Sequence, residues 1–179
     1  MTMTPSSAPF DPILVKQIYI EYQLDWEGLH GASHWARVLQ NGMHICDHTP
    51  EVRRDVVTLF ALFHDSCRND DGEDKKHGLR SALFVKKLHK KYINLDDDGM
   101  ELLMEACRTH TGGRGPADPT VMACWDSDRL DLPRIWGITV NPFFLGTPIA
   151  MAPETIDAAT KRAQARLFPW KDAFMGPRG

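Results

Sequence analysis

A chain of 179 residues, 42% hydrophobic and 25% charged, is long enough for one domain with its own core and needs no disulfide staples. Its formal charge of −3 gives no electrostatic ground for nucleic-acid binding, because phosphate backbones select net-positive faces. No apolar run approaches the ~20 residues of a membrane-spanning helix, so neither nucleic acid nor membrane is an expected partner.

Met1 to Ser7 carries neither a basic start nor a hydrophobic stretch, so no signal peptide is expected. Cys46, Cys67, Cys107 and Cys124 lack CxxC spacing and read as reduced core thiols. Both traits predict a cytoplasmic protein.

In chain order nearly all the patterned sequence reads as helix. Residues 1–10 read as a disordered N-terminus, 11–170 as one helical domain with its core at 28–131, and 171–179 as a flexible tail. A first helix is expected over Asp11–Gln23, with Pro12 in its first turn and Ile13, Leu14, Ile18 and Ile20 as its apolar residues. A second covers Ala32–Cys46, with Trp35, Val38, Leu39 and Met43 on its apolar side. A third starts at Thr49-Pro50, with Thr49 as N-cap and Pro50 at the first helical position. It is apolar nearly all round from Val56 onward, which predicts the central buried helix, and it closes on His64-Asp65.

Ser66–Asp74 is a polar loop. A fourth helix is expected over Lys75–Tyr92, with Lys86, Lys87, Lys90 and Lys91 on its solvated side. A fifth covers Asp98–Thr109, opening on aspartates that favour the positive end of a helix dipole. Thr111–Pro116 must be a loop, and a sixth helix over Pro119–Leu130 carries a second acidic cluster. Asn141–Pro148 reads as an apolar loop packed back on the domain, Pro153–Leu167 as the last helix. Trp35, Trp125 and Trp136 read as core or pocket wall. With no period-two pattern and no repeat, the prediction is an all-α, single-domain helical bundle.

His64-Asp65 is the chief chemical feature. Consecutive residues at a helix end stand about 100° apart, so both can flank one ion. A distant His and Asp can complete the shell, because borderline metals accept nitrogen and oxygen together. His34 lies upstream, with His30 one turn before it and Arg37 one turn after it on the same face. Asp126 and Asp128 are about 200° apart on a helix, so only one can point into a site.

Plain structural readings compete with each of these. His34 can be a hydrogen-bonded core histidine, and His64 an imidazole at the negative end of a helix dipole. His77 can face solvent at a helix start, and His110 can cap a helix before Gly112-Gly113. His30 reads as a hydrogen-bonding neighbour of the site. His44 and His48, roughly 15 to 21 Å beyond His34 along the helix, read as surface residues. Asp126 and Asp131 read as partners of Arg129 or Arg134. A nucleophilic Cys67 beside the doublet is a minor alternative.

The order His34, His64-Asp65, Asp128 resembles the HD superfamily of metal-dependent phosphohydrolases. The matches are His34 in His-x-x-Arg-Val, the doublet in Leu-Phe-His-Asp and Asp128 in Asp-x-Asp-Arg-Leu-Asp, within residues 28–131. The resemblance implies a helical bundle of the HD-domain type holding a divalent cation (Mn, Fe, Co, Ni, Zn or Mg) on His34, His64, Asp65 and Asp128. His77 begins a segment similar to the His-x-x-x-Gly-Ala helix start of several HD branches, and His110 follows the apolar face Leu102-Leu103-Ala106. With them the order looks like the branches that bind a second metal and bridge the two ions through the doublet aspartate. The gap from the doublet to His77 is shorter than in the cyclic-dinucleotide phosphodiesterases of the family, so one or two ions per chain both stay open.

The resemblance implies hydrolysis of a small phosphorylated substrate, a monoester or diester with nucleotides among the candidates, by a metal-activated water. Asp65, Glu73 and Asp74 are candidates for handling that water, and Arg37, Arg68 and Lys75 for holding phosphate at a mouth formed by residues 66–74. Two alternatives keep the metal and change the function. One is a di-iron oxygenase of the HD type that uses both extra histidines. The other is a non-catalytic, metal-stabilised ligand-binding module.

Overall fold

Aspartate side chains fix where three helices begin. In the computed structural model, which describes residues 9–165 and 168–175, Asp11 accepts from the Ile13 N–H at 2.7 Å and starts α1 (Pro12–Glu21). Asp96 accepts from Gly99 N–H at 2.7 Å and starts α5 (Asp97–Thr109), and Asp118 does the same for Thr120 N–H at 2.7 Å at the head of α6 (Pro119–Arg129). Each satisfies a first-turn donor that has no partner inside its helix. The remaining helices are α2 (Ala32–His48), α3 (Arg54–Phe63), α4 (His77–Leu88), α7 (Pro148–Met151), α8 (Pro153–Gln164) and α9 (Trp170–Met175). Single 3₁₀ turns cover Leu132–Arg134 and Pro142–Phe144. The described residues form no β-strand, only an isolated bridge between His89 and Ile93. The fold is an all-α single-domain bundle.

Helix α3 is its axis. Val56, Val57, Phe60, Ala61, Leu62 and Phe63 are buried, and α2, α5 and α6 all pack against it. Each large side chain so enclosed contributes roughly 1.5–3 kcal/mol of transfer free energy. Trp35 and Trp125 are buried in this core, whereas Trp136 is 92% exposed and forms no wall. All four cysteines are free and buried. No described helix is long and apolar enough to cross a membrane.

Several boundaries differ from the sequence reading. Thr49 ends α2 instead of capping α3, and Pro50 lies in a turn. The following backbone is drawn off toward α6, where the Thr120 hydroxyl accepts the Arg53 N–H at 3.1 Å, so α3 begins only at Arg54. Helix α4 stops at Leu88, because Lys90 adopts a left-handed backbone (φ 62°) that no α-helix continues through. Helix α8 ends at Gln164; Arg166 and Leu167 of the expected helix lie outside the described residues.

The termini are more built than expected. Phe174, in the segment read as a flexible tail, is fully buried on α9, its ring 5.5 Å from that of Phe10 in an edge-to-face pair. Phe10 itself, in the stretch read as disordered, belongs to the core. Residues 1–8 and 176–179 lie outside the described residues.

Helices α4 and α5 cross with backbones in contact at Gly78. A Cβ there would sit 2.4 Å from the Cys107 carbonyl oxygen and 3.2 Å from that of Arg108. This approach brings His77, the first residue of α4, against His110, just past the end of α5. Gly78→Ala must push the helices apart, and urea unfolding followed by circular dichroism should show a loss of about 1–3 kcal/mol. An unchanged midpoint would mean that the crossing relaxes without cost.

Candidate metal centre

Helix ends supply most of the site. His64 caps α3 and His110 caps α5, where the last carbonyls lack intrahelical partners. The His64 Nδ1–H donates to the carbonyls of Phe60 and Ala61, both at 3.2 Å, and that of His110 to Cys107 O at 2.8 Å. His77 Nδ1–H donates to the Asp74 carbonyl before α4. His34, in the first turn of α2, turns its Nδ1–H to Asp131 Oδ2 at 2.7 Å, and Arg37 holds the same carboxylate through Nε at 2.7 Å and Nη2 at 3.1 Å. These acceptors assign the proton to Nδ1 in all four rings and leave each Nε2 with its lone pair.

The four lone pairs face one another. His34 Nε2 lies 3.1 Å from His64 Nε2, and His77 Nε2 lies 2.9 Å from His110 Nε2. Asp128 Oδ1 stands 3.4 Å from His34 Nε2 and 3.8 Å from His64 Nε2. Asp65 sits between the pairs. Its Oδ2 is 3.7 Å from both His34 Nε2 and His64 Nε2; its Oδ1 is 3.2 Å from His77 Nε2 and 3.5 Å from His110 Nε2. Two ligands on one ion with bonds of about 2.0–2.2 Å stand roughly 3–3.5 Å apart, which these separations approach. Lone pairs this close repel unless a cation lies between them. The donor set of imidazole nitrogen and carboxylate oxygen therefore fits a divalent metal, with His34, His64 and Asp128 as one group and Asp65, His77 and His110 as a second. The capping and ligand readings of His64 and His110 are one geometry: Nδ1 caps, and Nε2 points inward.

Burial sets the charges. It pushes the His64 imidazole down to about 3, against the pull of Asp65 and Asp128, so the ring stays neutral. Burial alone would raise Asp65 and Asp128. The histidines around them, His64 foremost for Asp65 and His34 for Asp128, instead hold both carboxyls well below the usual range. Burial also opposes a charge on His110, but its bond to Asp65 outweighs burial and moves it up; a cation at Nε2 would compete with any proton taken up there.

The other expected site residues divide. Glu73 and Lys75 are exposed and pair with each other at 3.3 Å, away from the cluster, because the loop turns them to solvent. The Asp74 carboxylate accepts from Asn69 N–H at 2.9 Å and from Arg80, tying the loop to α4 instead of handling water. Arg37 lies behind His34 on Asp131, out of the pocket. Arg68 does reach inward, with Nη1 3.5 Å from Asp65 Oδ1. His30 neighbours the site as expected, its Nδ1 3.0 Å from Asp65 Oδ2. Asp126 is outside the cluster and feels the Arg129 charge, but its hydrogen bonds go elsewhere: it accepts from Gly146 N–H at 2.9 Å and from the Thr147 N–H and hydroxyl, both at 2.7 Å. Asp131 pairs with Arg134 at 3.9 Å as expected, and more closely with His34 and Arg37. His44 bonds Thr155 on α8 at 3.0 Å and takes no part. Burial raises the Cys67 thiol, which argues against a nucleophile.

A pocket of about 410 Å³ opens over Asp65, Asp128 and His110. Arg68, Arg114, Arg129 and Arg134 wall it, and Ile135, Ile138 and Phe144 are among its apolar contacts. Of residues 66–74 only Arg68 lines it. The mouth belongs instead to residues 110–114 and 128–144, so the expected mouth is displaced. Sequence reasoning missed Arg114, Arg129 and Arg134, although Arg129 directly follows Asp128. A larger surface groove of about 760 Å³ along α5 contains none of the cluster residues.

The chain matches no family model, no curated protein and no solved structure. What the site does is read from its own geometry.

The neutral, buried His64 gives the metal-free protein a definite pH dependence. The unfolded chain takes up this proton near 6.5 and the folded one only near 3, so stability falls as pH drops through that window, by up to about 1.4 kcal/mol per unit. The raised His110 acts the other way, losing its contribution only as pH rises through its folded value, and the carboxylates lose theirs only below their unfolded range near 3.9. Urea midpoints of chelated protein should therefore fall between pH 6 and 4.5, and more gently in His64→Gln. Equal slopes would contradict a neutral His64.

Proposed function

We propose that the protein is a metal-dependent phosphohydrolase of small anionic phosphoesters, built on the HD pattern that its sequence resembles. The observation that carries this reading is the pocket: a metal-competent His/Asp cluster at its floor and four arginines in its wall. Guanidinium groups match phosphoryl oxygens in charge and in hydrogen-bond geometry.

His34, His64, Asp65 and Asp128 would hold one divalent ion. Bound there, the ion supplies Lewis-acid chemistry, acidifying a water and polarising a phosphoryl oxygen. The protein's own groups do the positioning. Arg134 is fixed by donating to Leu29 O and Asp131 O, each at 3.2 Å, and Arg129 by donating to Phe144 O at 2.8 Å. Their side chains are thus already oriented when an anion arrives. Arg114 lies over the Phe144 ring at 4.2 Å and extends the cationic wall to the rim. Asp65 and Asp128, held well below the usual carboxylate range, are weak bases suited to ligation and to orienting water.

A second reading, a di-iron oxygenase, is favoured by one observation: Asp65 offers one oxygen to each histidine pair.

Hydrolysis of p-nitrophenyl phosphate and bis(p-nitrophenyl) phosphate with Mn, Fe, Co, Ni, Zn or Mg, with and without dioxygen, separates the readings. Turnover that chelation abolishes and dioxygen does not affect is expected. Asp128→Asn should lose bound metal and activity together, whereas Asp126→Asn should keep its metal. Arg114→Gln, on an exposed side chain, should raise KM by about tenfold at unchanged metal content. Oxygen uptake without ester cleavage would replace the proposal by the second reading, and an unchanged KM in Arg114→Gln would remove the arginine wall from substrate binding.

A further inference from the structure

We infer that Arg68 is a built-in cation occupying the second metal position, and that it makes metal binding there conditional on an anion in the pocket. The inference rests on the metal-binding reading of the cluster and is independent of which reaction follows.

Arg68 Nη1 lies 3.5 Å from Asp65 Oδ1 and donates to His77 Nε2 at 3.3 Å. Those two atoms, with His110 Nε2, are the second ligand group. The guanidinium nitrogen thus sits within hydrogen-bond reach of ligand atoms that a cation would need, and its charge faces the same carboxylate oxygen. His77 Nε2 has a single lone pair, so it cannot accept from Nη1 and bond a divalent ion at about 2.0–2.2 Å at the same time. Occupancy by one excludes the other.

This is no loose surface side chain. Arg68 is only 7% exposed, and its remaining edges are held by the loop it belongs to: Nε donates to Asp70 O at 3.2 Å and Nη2 to Gly72 O at 2.8 Å. Asp74, bonded to Asn69 N–H at 2.9 Å and to Arg80, closes the same loop. Vacating the second position therefore costs two loop bonds as well as an ion pair. The first position differs. Its neighbour across Asp65 is the His30 imidazole, Nδ1 3.0 Å from Asp65 Oδ2, and among the described residues no guanidinium lies within ion-pair distance of His34, His64 or Asp128, so the first ion has no guanidinium to displace.

Arg68 also lines the anion pocket beside Asp65 and Asp128. A phosphate there offers the guanidinium a better partner than a shared carboxylate oxygen, with bidentate charge-assisted bonds. Moving Arg68 onto the anion frees Asp65 Oδ1, His77 and His110. Anion and second ion then favour each other, and by linkage the coupling is reciprocal.

The test is titration of the chelated full chain with Mn²⁺ under anaerobic conditions, by calorimetry and by elemental analysis after dialysis, with and without inorganic phosphate. The wild type should bind one ion tightly and a second at least about tenfold more weakly, and phosphate should strengthen the second step more than the first. Arg68→Met should bind two ions without phosphate, with phosphate no longer favouring the second step over the first, and Arg68→Met/His77→Ala should return to one. Arg68→Lys, which keeps a charge but cannot span the loop carbonyls, should fall between and serves in place of Arg68→Met should that variant fail to fold. Two equally tight ions in the phosphate-free wild type, or an unchanged second step in the Arg68 variants, would overturn the inference. Absence of any bound ion in every form would instead overturn the metal reading beneath it.

Discussion

An imidazole has one proton and one lone pair to place, and the backbone around this cluster decides which nitrogen keeps which. Carbonyls left unpaired at the ends of α3 and α5, the carbonyl before α4 and the Asp131 carboxylate each take an Nδ1–H. The four Nε2 lone pairs then point inward, toward one another and toward Asp65 and Asp128, with Arg68 alongside at His77. The helix-end requirement that every bundle must meet becomes, at these positions, the device that orients a ligand set. Asp131 adds an outer support of the kind that commonly fixes metal-binding histidines, and Arg37 neutralises it from behind.

That orientation depends on close packing elsewhere. The central helix α3 delivers His64 and Asp65 into the interior only because it is enclosed by α2, α5 and α6. His77 meets His110 only because Gly78 lets α4 lie on the α5 backbone. The residues after α6 complete the site from outside: Asp126 pins Gly146 and Thr147, and the chain between, which carries Ile138, Val140 and Phe144, lines the pocket. The acidic cluster on α6 therefore has a division of labour, with Asp128 facing the histidines and Asp126 anchoring a pocket-lining segment.

Local features were readable in the chain and non-local ones were not. Pro12 marks the first turn of α1 from sequence, and Asp11 caps it from two positions away, an interaction wholly local to that stretch. Thr49-Pro50 carries the same local signal, yet a hydroxyl from α6 claims the Arg53 backbone and delays the helix. The Phe10–Phe174 pair joins opposite ends of the chain, beyond the reach of any windowed pattern. At the site, the order of His34, His64-Asp65 and Asp128 named four residues that the fold gathers, with His77 and His110 on the other side of Asp65. Residue type alone could not tell Arg37 from Arg129. Both are basic and near a candidate ligand, but one lies behind His34 on a buried carboxylate and the other lines the pocket. Likewise the acids after the doublet looked catalytic by composition, while Glu73 faces solvent and Asp74 ties a loop.

Anomalous diffraction from crystals grown with Mn²⁺ under anaerobic conditions tests the central claim, that these imidazoles are turned inward to hold a cation. The expected result is a peak within about 2.0–2.3 Å of His34 Nε2, His64 Nε2 and an Asp128 oxygen, with the Nδ1 contacts retained. Full metal exposure with no peak at that point, or with His34 or His64 flipped so that Nε2 bonds Asp131 or the α3 carbonyls, would contradict it.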